Sequence, residues 1–448
     1  MDTQAVSVEQ ESYFSSDWLR AKKRKLEYSR RSPEATATYR AVFHYHEELT
    51  LIWDERYAER YGRFRDEVKE SFYKYLDCGI LLHGCARARC EKCNHSTLIA
   101  LSCKCRGICP SCDTKRMLLF AEHLHEEVLE AVPHRHLVLT IPRRLRPFFR
   151  YDRARNRFLF KAAQRAIKQL YSELTPSGTS GAVLALHSGN DLQEFNPHIH
   201  GIVADGVFLQ DGSFEQLSLE QGALAKLFEY QLLKLLLEHD VISEMVIAQL
   251  TSWKHSGFSA WLGKVIHPSD QEARLFISEY VNKAQIKNSK IEVSQDDSLF
   301  HDDVVRCHKD ENTYRDYTPL DYLAHLSTHI PNRWEQTVRY IGHYSARTRG
   351  KRRKELEEKQ PQDTPLPFVI PEEKEAEYKK SKRKSWARLI RKVFEVDPLV
   401  CPKCGQSMKV VAVIIDPKEA NRISSHLGYR YRAPPPFKNS TSTNQFVQ

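Results

Sequence analysis

Apolar residues recur along this chain with two different periods, and each period predicts a different kind of element. Apolar positions three and four residues apart predict helices, whereas short apolar runs bounded by turn residues predict strands. Helices are predicted over two segments within 36–76 and over 114–132, 154–174, 218–238, 271–283, 319–328, 333–344 and 379–392. Strands are predicted over 135–141, 182–187 and 199–204, with short strand-like pieces between 288 and 308.

The order of these elements predicts the fold class. Strand, helix, strand, hairpin and strand follow one another between 135 and 204, and the last strand is expected to end at the turn pair Asp205-Gly206. This order is typical of an α+β fold in which an α/β sandwich is built on a small, mostly antiparallel sheet. A chain of 448 residues is too long for one small domain, so several domains are expected.

Changes in composition divide the chain into six predicted segments. The segments are a flexible arm (1–35), a helical and cysteine-rich domain (36–132), a domain that contains the predicted sheet (133–354), a charged Pro-rich linker (355–380), a basic helix with a ribbon-like Cys-x-x-Cys module (381–430) and a disordered tail (431–448).

The charge balance favours a nucleic-acid partner. There are 68 Lys and Arg residues against 58 Asp and Glu, which gives a net charge of +10. Such a balance with 20 Tyr and 20 Phe fits a nucleic-acid-binding protein, although a few solvated basic runs would also produce it. No apolar run approaches the ~20 residues that span a bilayer, and no signal peptide is evident. We therefore expect a cytoplasmic protein with no membrane partner.

The cysteines predict a structural zinc site. Eight of the 11 cysteines lie between Cys78 and Cys112, and their core reads Cys90-x2-Cys93-x15-Cys109-x2-Cys112. Two Cys-x-x-Cys turns brought together by a hairpin supply four thiolates for a tetrahedral Zn²⁺. Four thiolates leave no open coordination position, which favours a structural role over a catalytic one.

Other cysteines leave the ligand set open. Cys103 or its neighbour Cys105 could replace one of the four ligands, or join Cys78 or Cys85 in a second site. Cys307 has no partner spacing and is expected to be structural. A second half-site, Cys401-x2-Cys404, would need His426 or another chain to complete it. Basic residues interleave with the N-terminal ligands and favour nucleic-acid binding; they include Arg87, Arg89, Lys104 and Arg106.

Two histidines predict a second metal centre. In Asn196-Pro-His198-Ile-His200-Gly, the histidines are two apart on a predicted strand, so both side chains point to one side. Two imidazoles fixed in this way can hold a divalent metal, although two hydrogen-bonded structural histidines would look the same. His134 and His136 have the same spacing, but there a structural role is favoured.

Two tyrosines provide a candidate nucleophile. Tyr340 and Tyr344 are i and i+4, so in the helix predicted over 333–344 both phenols would project from one face, as core packing would also require. A phenolate can attack a DNA phosphodiester while a bound metal neutralises the developing charge. The basic run that follows suits a phosphate backbone; its candidate DNA-binding residues are Arg347, Arg349, Lys351, Arg352 and Arg353.

Several long stretches carry a family resemblance. They are CGILLHGCARARCEKCNHSTLIALSCKCRGICPSCDTKRM, VPHRHLVLTIP, NPHIHG, SWKHSGFS, HIPNRWEQTVRYIGHYSARTRGKRRK and CPKCGQSMKVVAVIIDP, between about 70 and 428. In these stretches the chain resembles the two-tyrosine HUH transposases of bacterial rolling-circle insertion sequences, which have an N-terminal transposase zinc-binding domain.

The resemblance implies a set of roles. It implies an HUH-type fold, His198 and His200 as metal ligands, Tyr340 and Tyr344 as nucleophiles, single-stranded DNA as substrate, and Mg²⁺ or Mn²⁺ at the histidines. Cys85 and Cys105 are extra to the family's cysteine pattern, which favours Cys90, Cys93, Cys109 and Cys112 as zinc ligands, with Cys103 in reserve. HUH sites usually have a third ligand, for which Gln336 and His187 rank equally and His343 lower.

The expected function is therefore that of a bacterial, nucleoid-associated DNA transposase. It would nick and rejoin single-stranded DNA at the element ends through a covalent phosphotyrosine. A relaxase or replication initiator would use the same chemistry, but the chain has no helicase P-loop of the form GxxxxGK[ST]. A non-catalytic zinc protein that binds nucleic acid would leave the paired histidines and tyrosines unexplained, and the intact site residues argue against a decayed copy.

Overall fold

The computed structural model describes residues 32–295, 303–359, 399–429, 431 and 434. Most of the predicted arm and linker, the basic helix predicted over 379–392 and nearly all of the predicted tail lie outside these residues. In the part of the chain that is described, no helix is long and apolar enough to cross a membrane.

The described chain mixes helices with antiparallel strands, which confirms the α+β prediction. The helices are α1 (Ala37–Arg56), α2 (Ala58–Tyr61), α3 (Asp66–Leu76), α4 (Pro110–His123), α5 (Arg146–Tyr151), α6 (Asn156–Leu174), α7 (Gln221–Glu238), α8 (Glu244–Thr251), α9 (Gln271–Val281), α10 (Pro319–Ser327), α11 (Ala346–Lys359) and α12 (Pro417–His426). The strands are β1 (Cys85–Cys90), β2 (Ser96–Ala100), β3 (His134–Thr140), β4 (Thr179–Gly189), β5 (Phe195–Phe208), β6 (Phe214–Gln216), β7 (Ser259–Leu262), β8 (Ile291–Gln295), β9 (Asp303–His308), β10 (Tyr314–Tyr317), β11 (Val338–Gly342) and β12 (Met408–Ile414).

The chain divides into two compact units. The smaller contains Arg87–Thr97 and the described part of Ile370–Ala412, and the larger contains the remaining described residues. The smaller unit contains the greater part of β1 and of β12 and the first two residues of β2, which are strands of a three-stranded sheet in the order β12-β1-β2.

A six-stranded antiparallel sheet organises the larger unit. Its order is β11-β4-β5-β3-β7, and β6 pairs with β5 beyond this path. Side chains alternate between its two faces because successive strand residues point in opposite directions. On one face Leu137, Ile199 and Val203 pack into an apolar cluster with Leu159 of α6 and Phe228 of α7.

The opposite face carries the residues of functional interest. Val183, Ile202 and Ala204 point to this side and pack with Ile277 and Val281 of α9. Asp270 caps the start of α9, and its carboxylate accepts a hydrogen bond from the Ala273 backbone N–H at 2.9 Å. The cap and the apolar contacts together hold α9 against this face.

A second cluster of the larger unit contains buried cysteines from the N-terminal part of the chain. Tyr39 of α1, Phe72 of α3 and Tyr322 of α10 are buried there beside Cys109 and Cys112. The three-stranded sheet β10-β9-β8 contributes Val305 and Cys307 to the same cluster. Cys307 is completely buried in this apolar setting, in keeping with the structural role expected for it.

Strand β5 continues past its predicted end, so the pair Asp205-Gly206 lies inside the strand. Asp205 is fully buried, yet its carboxylate accepts hydrogen bonds from Arg135 Nε at 2.5 Å and Gln216 Nε2 at 2.8 Å. Gly206 leaves room for the Glu215 carbonyl of the β5–β6 hairpin, which a Cβ atom would meet at 2.1 Å. A pair of residues that usually forms a turn is therefore accommodated within a strand by its tertiary partners.

The helix predicted over 333–344 is also wrong, because this segment contains strand β11. Tyr340 pairs with Val183 of β4, and Gly342 pairs with Gly181. Gly342 has φ +58°, and a Cβ atom there would lie 1.8 Å from the Ser180 carbonyl oxygen. Pairing at the edge of a large sheet has outweighed the local helical spacing, and glycine is required where the strand ends.

Candidate active site and metal centres

Three histidines lie together on the α9 side of the six-stranded sheet. His187 of β4 is directly opposite His198 of β5, and His200 follows two residues along the same strand. The ring centroids are 5.4 Å apart for His187 and His198, 4.1 Å for His187 and His200, and 4.8 Å for His198 and His200. One ring nitrogen from each lies within 4.8 Å of the others, as a shared metal would require. We call these residues the histidine centre.

Hydrogen bonds orient each imidazole of the histidine centre. His198 Nδ1 lies 2.6 Å from the Asn196 carbonyl oxygen, and His187 Nε2 lies 2.8 Å from the Val281 carbonyl oxygen. His200 Nδ1 lies 2.9 Å from His136 Nε2. Carbonyl acceptors require N–H donors, so the other ring nitrogen of His187 and of His198 carries a lone pair that could bind a metal. This arrangement of outer partners is typical of metal-binding histidines.

Burial keeps these imidazoles neutral. Desolvation lowers the pKa of His198 to about 4 and the pKa values of His187 and His200 well below the ordinary histidine value. Only the neutral ring has a lone pair for a metal ion. The donor set is therefore ready to bind a cation near neutral pH, and three imidazoles suit Mn²⁺ better than Mg²⁺, which prefers oxygen ligands.

A tyrosine and a lysine from the end of α9 lie beside the histidine centre. The Tyr280 ring centroid is 5.5 Å from that of His200 and 5.4 Å from that of His136. Lys283 Nζ lies 3.4 Å from the Tyr280 hydroxyl and 4.6 Å from the centre of its ring. Tyr280 is partly exposed, so a phenol oxygen and a cation meet where a substrate can approach.

Tyr340 and Tyr344 have different surroundings from those predicted. The register places Tyr340 two strands and two residues from His200, a Cα separation of roughly 12 Å by standard sheet spacing. Tyr344 is completely buried, and its hydroxyl lies 2.7 Å from His134 Nε2. The two tyrosines do not share a helical face, since one lies on β11 and the other follows the strand end.

The other two candidates for a third metal ligand, Gln336 and His343, do not join the histidine centre. Gln336 is exposed and lines a surface groove with Trp334 and Arg339. His343 stacks on Phe208 with ring centroids 3.6 Å apart, and its Nε2 contacts Arg352. The side chain that the fold brings to the histidine pair is therefore His187.

Four N-terminal cysteines form one compact group. The Sγ atom of Cys78 lies 3.5 Å from that of Cys109 and 3.8 Å from that of Cys112, and Cys103 Sγ lies 3.6 Å from Cys112 Sγ. Cys109 precedes α4 and Cys112 lies in its first turn, so the helix start fixes two of the four. We call this set the N-terminal cysteine group.

The structure separates the four predicted zinc ligands. Cys109 and Cys112 belong to the N-terminal cysteine group, whereas Cys90 and Cys93 group with Cys401 and Cys404. The prediction of one Cys90, Cys93, Cys109, Cys112 set is therefore wrong, because β1 directs its own Cys-x-x-Cys turn to a different partner. We call the second set the long-range cysteine group. His426, which was named with another chain as a way to complete the Cys401-x2-Cys404 half-site, is not part of this group.

Some of the predicted DNA-binding side chains contact other residues of the protein, and others are exposed. Arg106 donates to the backbone carbonyls of Glu335 and Asn332, at 2.8 and 3.3 Å, so it holds the loop that leads to β11. Arg352 pairs with Glu130 at 2.5 Å. Partly engaged residues are Arg87, which contacts Ser96; Arg89, which contacts Asn94; and Arg349, which donates to the Tyr344 carbonyl and lies over the Tyr340 ring. Exposed cations are Lys104, Arg347, Lys351 and Arg353.

Comparisons with known proteins identify relatives of the chain among transposases. Residues 50–141 match the family described as "Transposase zinc-binding domain", and residues 181–352 match the family described as "Putative transposase". The chain is 24% identical over 374 residues to the transposase for insertion sequence element IS801 of Pseudomonas savastanoi pv. phaseolicola, covering 79% of this chain and 85% of that protein.

Together these matches support an IS91-type transposase. The family resemblance of the sequence is thereby confirmed. A transposase acts on DNA, so DNA binding follows from this assignment. The zinc-binding match and the cysteine groups together support structural Zn²⁺. No solved structure matches the chain.

Sequence reasoning missed Tyr280 and Lys283. Both lie in the segment 271–283 that was predicted as a helix, although α9 ends at Val281, before Lys283. That segment carries no pair of tyrosines and no basic run. Phe276 is one turn before Tyr280, with ring centroids 6.1 Å apart, so the aromatic i, i+4 spacing was present without a second phenol. His136 was also missed as a partner of the histidine centre, although its His-x-His spacing was noted.

Proposed function

We propose that this transposase nicks and rejoins single-stranded DNA through a covalent phosphotyrosine on Tyr280. The observation that carries this proposal is the position of Tyr280 beside His200 at the histidine centre, with Lys283 next to its hydroxyl. We further propose that the six-stranded sheet, with helices on both faces, is the catalytic core of an HUH endonuclease.

The histidine centre supplies three neutral nitrogen ligands for a divalent cation, preferably Mn²⁺. A cation bound by His187, His198 and His200 would polarise the scissile phosphate and neutralise the charge that develops on it. The chain itself orients these rings through Asn196, Val281 and His136, so no reorganisation is needed when DNA arrives.

Tyr280 supplies the nucleophile. Its hydroxyl loses a proton, its oxygen forms a bond to phosphorus, and the bond between phosphorus and the 3′-oxygen breaks. The leaving 3′-oxygen takes up a proton, so the products are a 5′-phosphotyrosine and a free 3′-hydroxyl. Attack by a 3′-hydroxyl on the same phosphorus reverses the step and rejoins DNA. Lys283 stabilises the negative charge on the phenol oxygen and on the phosphate.

Exposed cations would guide the strand. We propose that Arg347, Lys351 and Arg353 of α11, with Lys104 near the N-terminal cysteine group, contact phosphates without reading sequence. Their loss should weaken binding of all sequences alike and reduce its salt dependence, which is typical of backbone contacts.

Formation of a covalent adduct tests the nucleophile directly. Full-length protein is incubated with Mn²⁺ and labelled single-stranded DNA from an element end, and denaturation-resistant adduct is measured. Tyr280→Phe should abolish the adduct, because it removes only the attacking oxygen. The double variant Tyr340→Phe plus Tyr344→Phe should retain it. Circular dichroism and metal content verify that each variant is folded.

Mass spectrometry of the adduct makes the assignment independent of any variant. Trypsin releases Tyr280 alone in the peptide 275–283, whereas Tyr340 and Tyr344 share the peptide 340–347. A nucleotide on the peptide 275–283 would support Tyr280. A nucleotide on the peptide 340–347 would refute it and restore the tyrosines predicted from sequence.

A further inference from the structure

The long-range cysteine group joins parts of the chain that are far apart in sequence. Cys90 and Cys93 come from the end of β1, and Cys401 and Cys404 precede β12. Cys93 Sγ lies 3.4 Å from Cys401 Sγ although 308 positions separate them, and Cys90 Sγ lies 3.5 Å from Cys404 Sγ. All four sulfur atoms lie within 4.8 Å of one another.

The first half of this group is a tight turn with a defined hydrogen-bond pattern. The Cys90 backbone N–H donates to the His95 carbonyl at 2.8 Å, and the Asn94 N–H donates to the Cys90 carbonyl at 3.0 Å. Asn94, directly after the second cysteine, has φ +59°. Asparagine is one of the few non-glycine residues that adopt this left-handed conformation readily.

The second half repeats the first. The Cys401 N–H donates to the Gln406 carbonyl at 2.8 Å, and the Gly405 N–H donates to the Cys401 carbonyl at 2.8 Å. Gly405 again follows the second cysteine directly and has φ +68°. Two segments with little sequence in common thus fold into the same turn, and each presents two thiols to the other.

The spacing of the sulfur atoms fits a metal better than a covalent bond. With Zn–S bonds of about 2.3 Å, the edge of a tetrahedron of thiolates is about 3.8 Å. The observed separations are close to that edge, whereas a disulfide needs about 2.05 Å. Each turn also carries a lysine immediately before its second cysteine, Lys92 and Lys403, which offsets the double negative charge of a four-thiolate zinc centre.

We propose that Cys90, Cys93, Cys401 and Cys404 hold a second structural Zn²⁺, separate from the ion of the N-terminal cysteine group. Each thiol gives up its proton as it binds the metal. The ion closes a chain loop that contains every residue of the histidine centre and α9. The Cys401-x2-Cys404 segment is then one half of a shared site, and the C-terminal part of the chain is tied to the zinc-binding domain by metal. This proposal does not depend on the nucleophile assigned to Tyr280.

Zinc counting on the full-length chain tests the proposal. Protein is prepared with zinc and a reductant, dialysed to remove loosely bound metal, and weighed by native mass spectrometry. The double variant Cys401→Ser plus Cys404→Ser should contain one zinc ion fewer than the wild-type protein. Cys90→Ser plus Cys93→Ser should also lose one, and the variant with all four changes should lose only one, because all four cysteines hold the same ion.

Matched controls separate the proposal from its rivals. Cys85→Ser, which removes a buried cysteine outside both groups, should lose no zinc. If Cys401 and Cys404 can be replaced with no loss of zinc, or if the fourfold variant loses two ions, the shared site is excluded. A Cys93–Cys401 or Cys90–Cys404 disulfide in protein purified with zinc and without reductant would also overturn it. X-ray absorption of the zinc-loaded protein gives a readout that does not depend on variants, since four sulfur neighbours per zinc are expected at both sites.

Discussion

Helix α9 and strand β11 bring tyrosines to the same face of one sheet, but they surround the phenols differently. Tyr280 on α9 is partly exposed and lies beside His200 and Lys283. Tyr344, just after β11, is completely buried and is hydrogen-bonded to His134. A nucleophile needs access to its substrate and a nearby charge, whereas a core tyrosine needs packing and one hydrogen-bond partner. Under the proposed mechanism, the attacking tyrosine is therefore identified by its contact with the histidine centre and not by its spacing along the chain.

The largest expected effect concerns Lys283, the cation beside Tyr280 of α9, in comparison with Arg349, the cation beside Tyr340 of β11. Lys283→Ala should lower the cleavage rate at saturating DNA by about 10²–10³-fold, the range found when a preorganised donor to a developing anion is lost. Arg349→Ala, which removes the cation over the Tyr340 ring, should weaken DNA binding and keep the rate at saturation. Single-turnover cleavage separates the two quantities. Equal losses of rate in both variants would remove the contrast between α9 and β11.

The second expected effect is the pH dependence of folding stability that arises from the buried contact between His134 and Tyr344, which follows β11. Burial lowers the pKa of His134 to about 4. Because its unfolded pKa is near 6.5, the unfolded state binds the extra proton first as the pH falls. The free energy of unfolding therefore contains the full contribution of neutral His134 above pH 6.5. This contribution is lost as the pH falls from 6.5 to about 4. It amounts to roughly 3 kcal/mol for this group.

Urea unfolding of wild-type protein and His134→Asn at several pH values measures this effect. The difference in unfolding free energy between the two proteins should shrink as the pH falls through that window. A difference that stays constant from pH 7 to pH 4 would show that His134 is not held neutral by its buried contact with Tyr344.

The smallest expected effect compares two histidines of β3. His136→Ala should weaken Mn²⁺ binding by about 10–100-fold, because His136 orients the His200 ring. His134→Asn should leave the affinity unchanged, since His134 contacts Tyr344 instead. Titration of Mn²⁺ followed by electron paramagnetic resonance measures both. An equal loss of Mn²⁺ affinity in the two variants would mean that any disruption of β3 weakens the histidine centre, and that His136 has no specific role in orienting His200.

The sequence by itself determined the local elements and two of the three residues of the histidine centre. Alternation on β5 was sufficient to put His198 and His200 on one side, and apolar spacing predicted α6, α7 and α9, because these features depend on neighbours only a few residues away. The Cys-x-x-Cys turns were equally visible as local patterns. The antiparallel sheet and the α+β class followed from the order of the elements.

Only the tertiary structure decided which of these pieces meet. His187 joins the histidine pair because β4 and β5 pair in one register, and Tyr280 reaches it because α9 packs on that face. Cys401 and Cys404 meet Cys90 and Cys93 across about 300 positions, a pairing that spacing alone does not encode. Tyr340 follows strand geometry because an edge position on a large sheet stabilises it more than an isolated helical turn would. Contacts between distant segments are set by the free energy of the whole fold, so no local pattern could have revealed them.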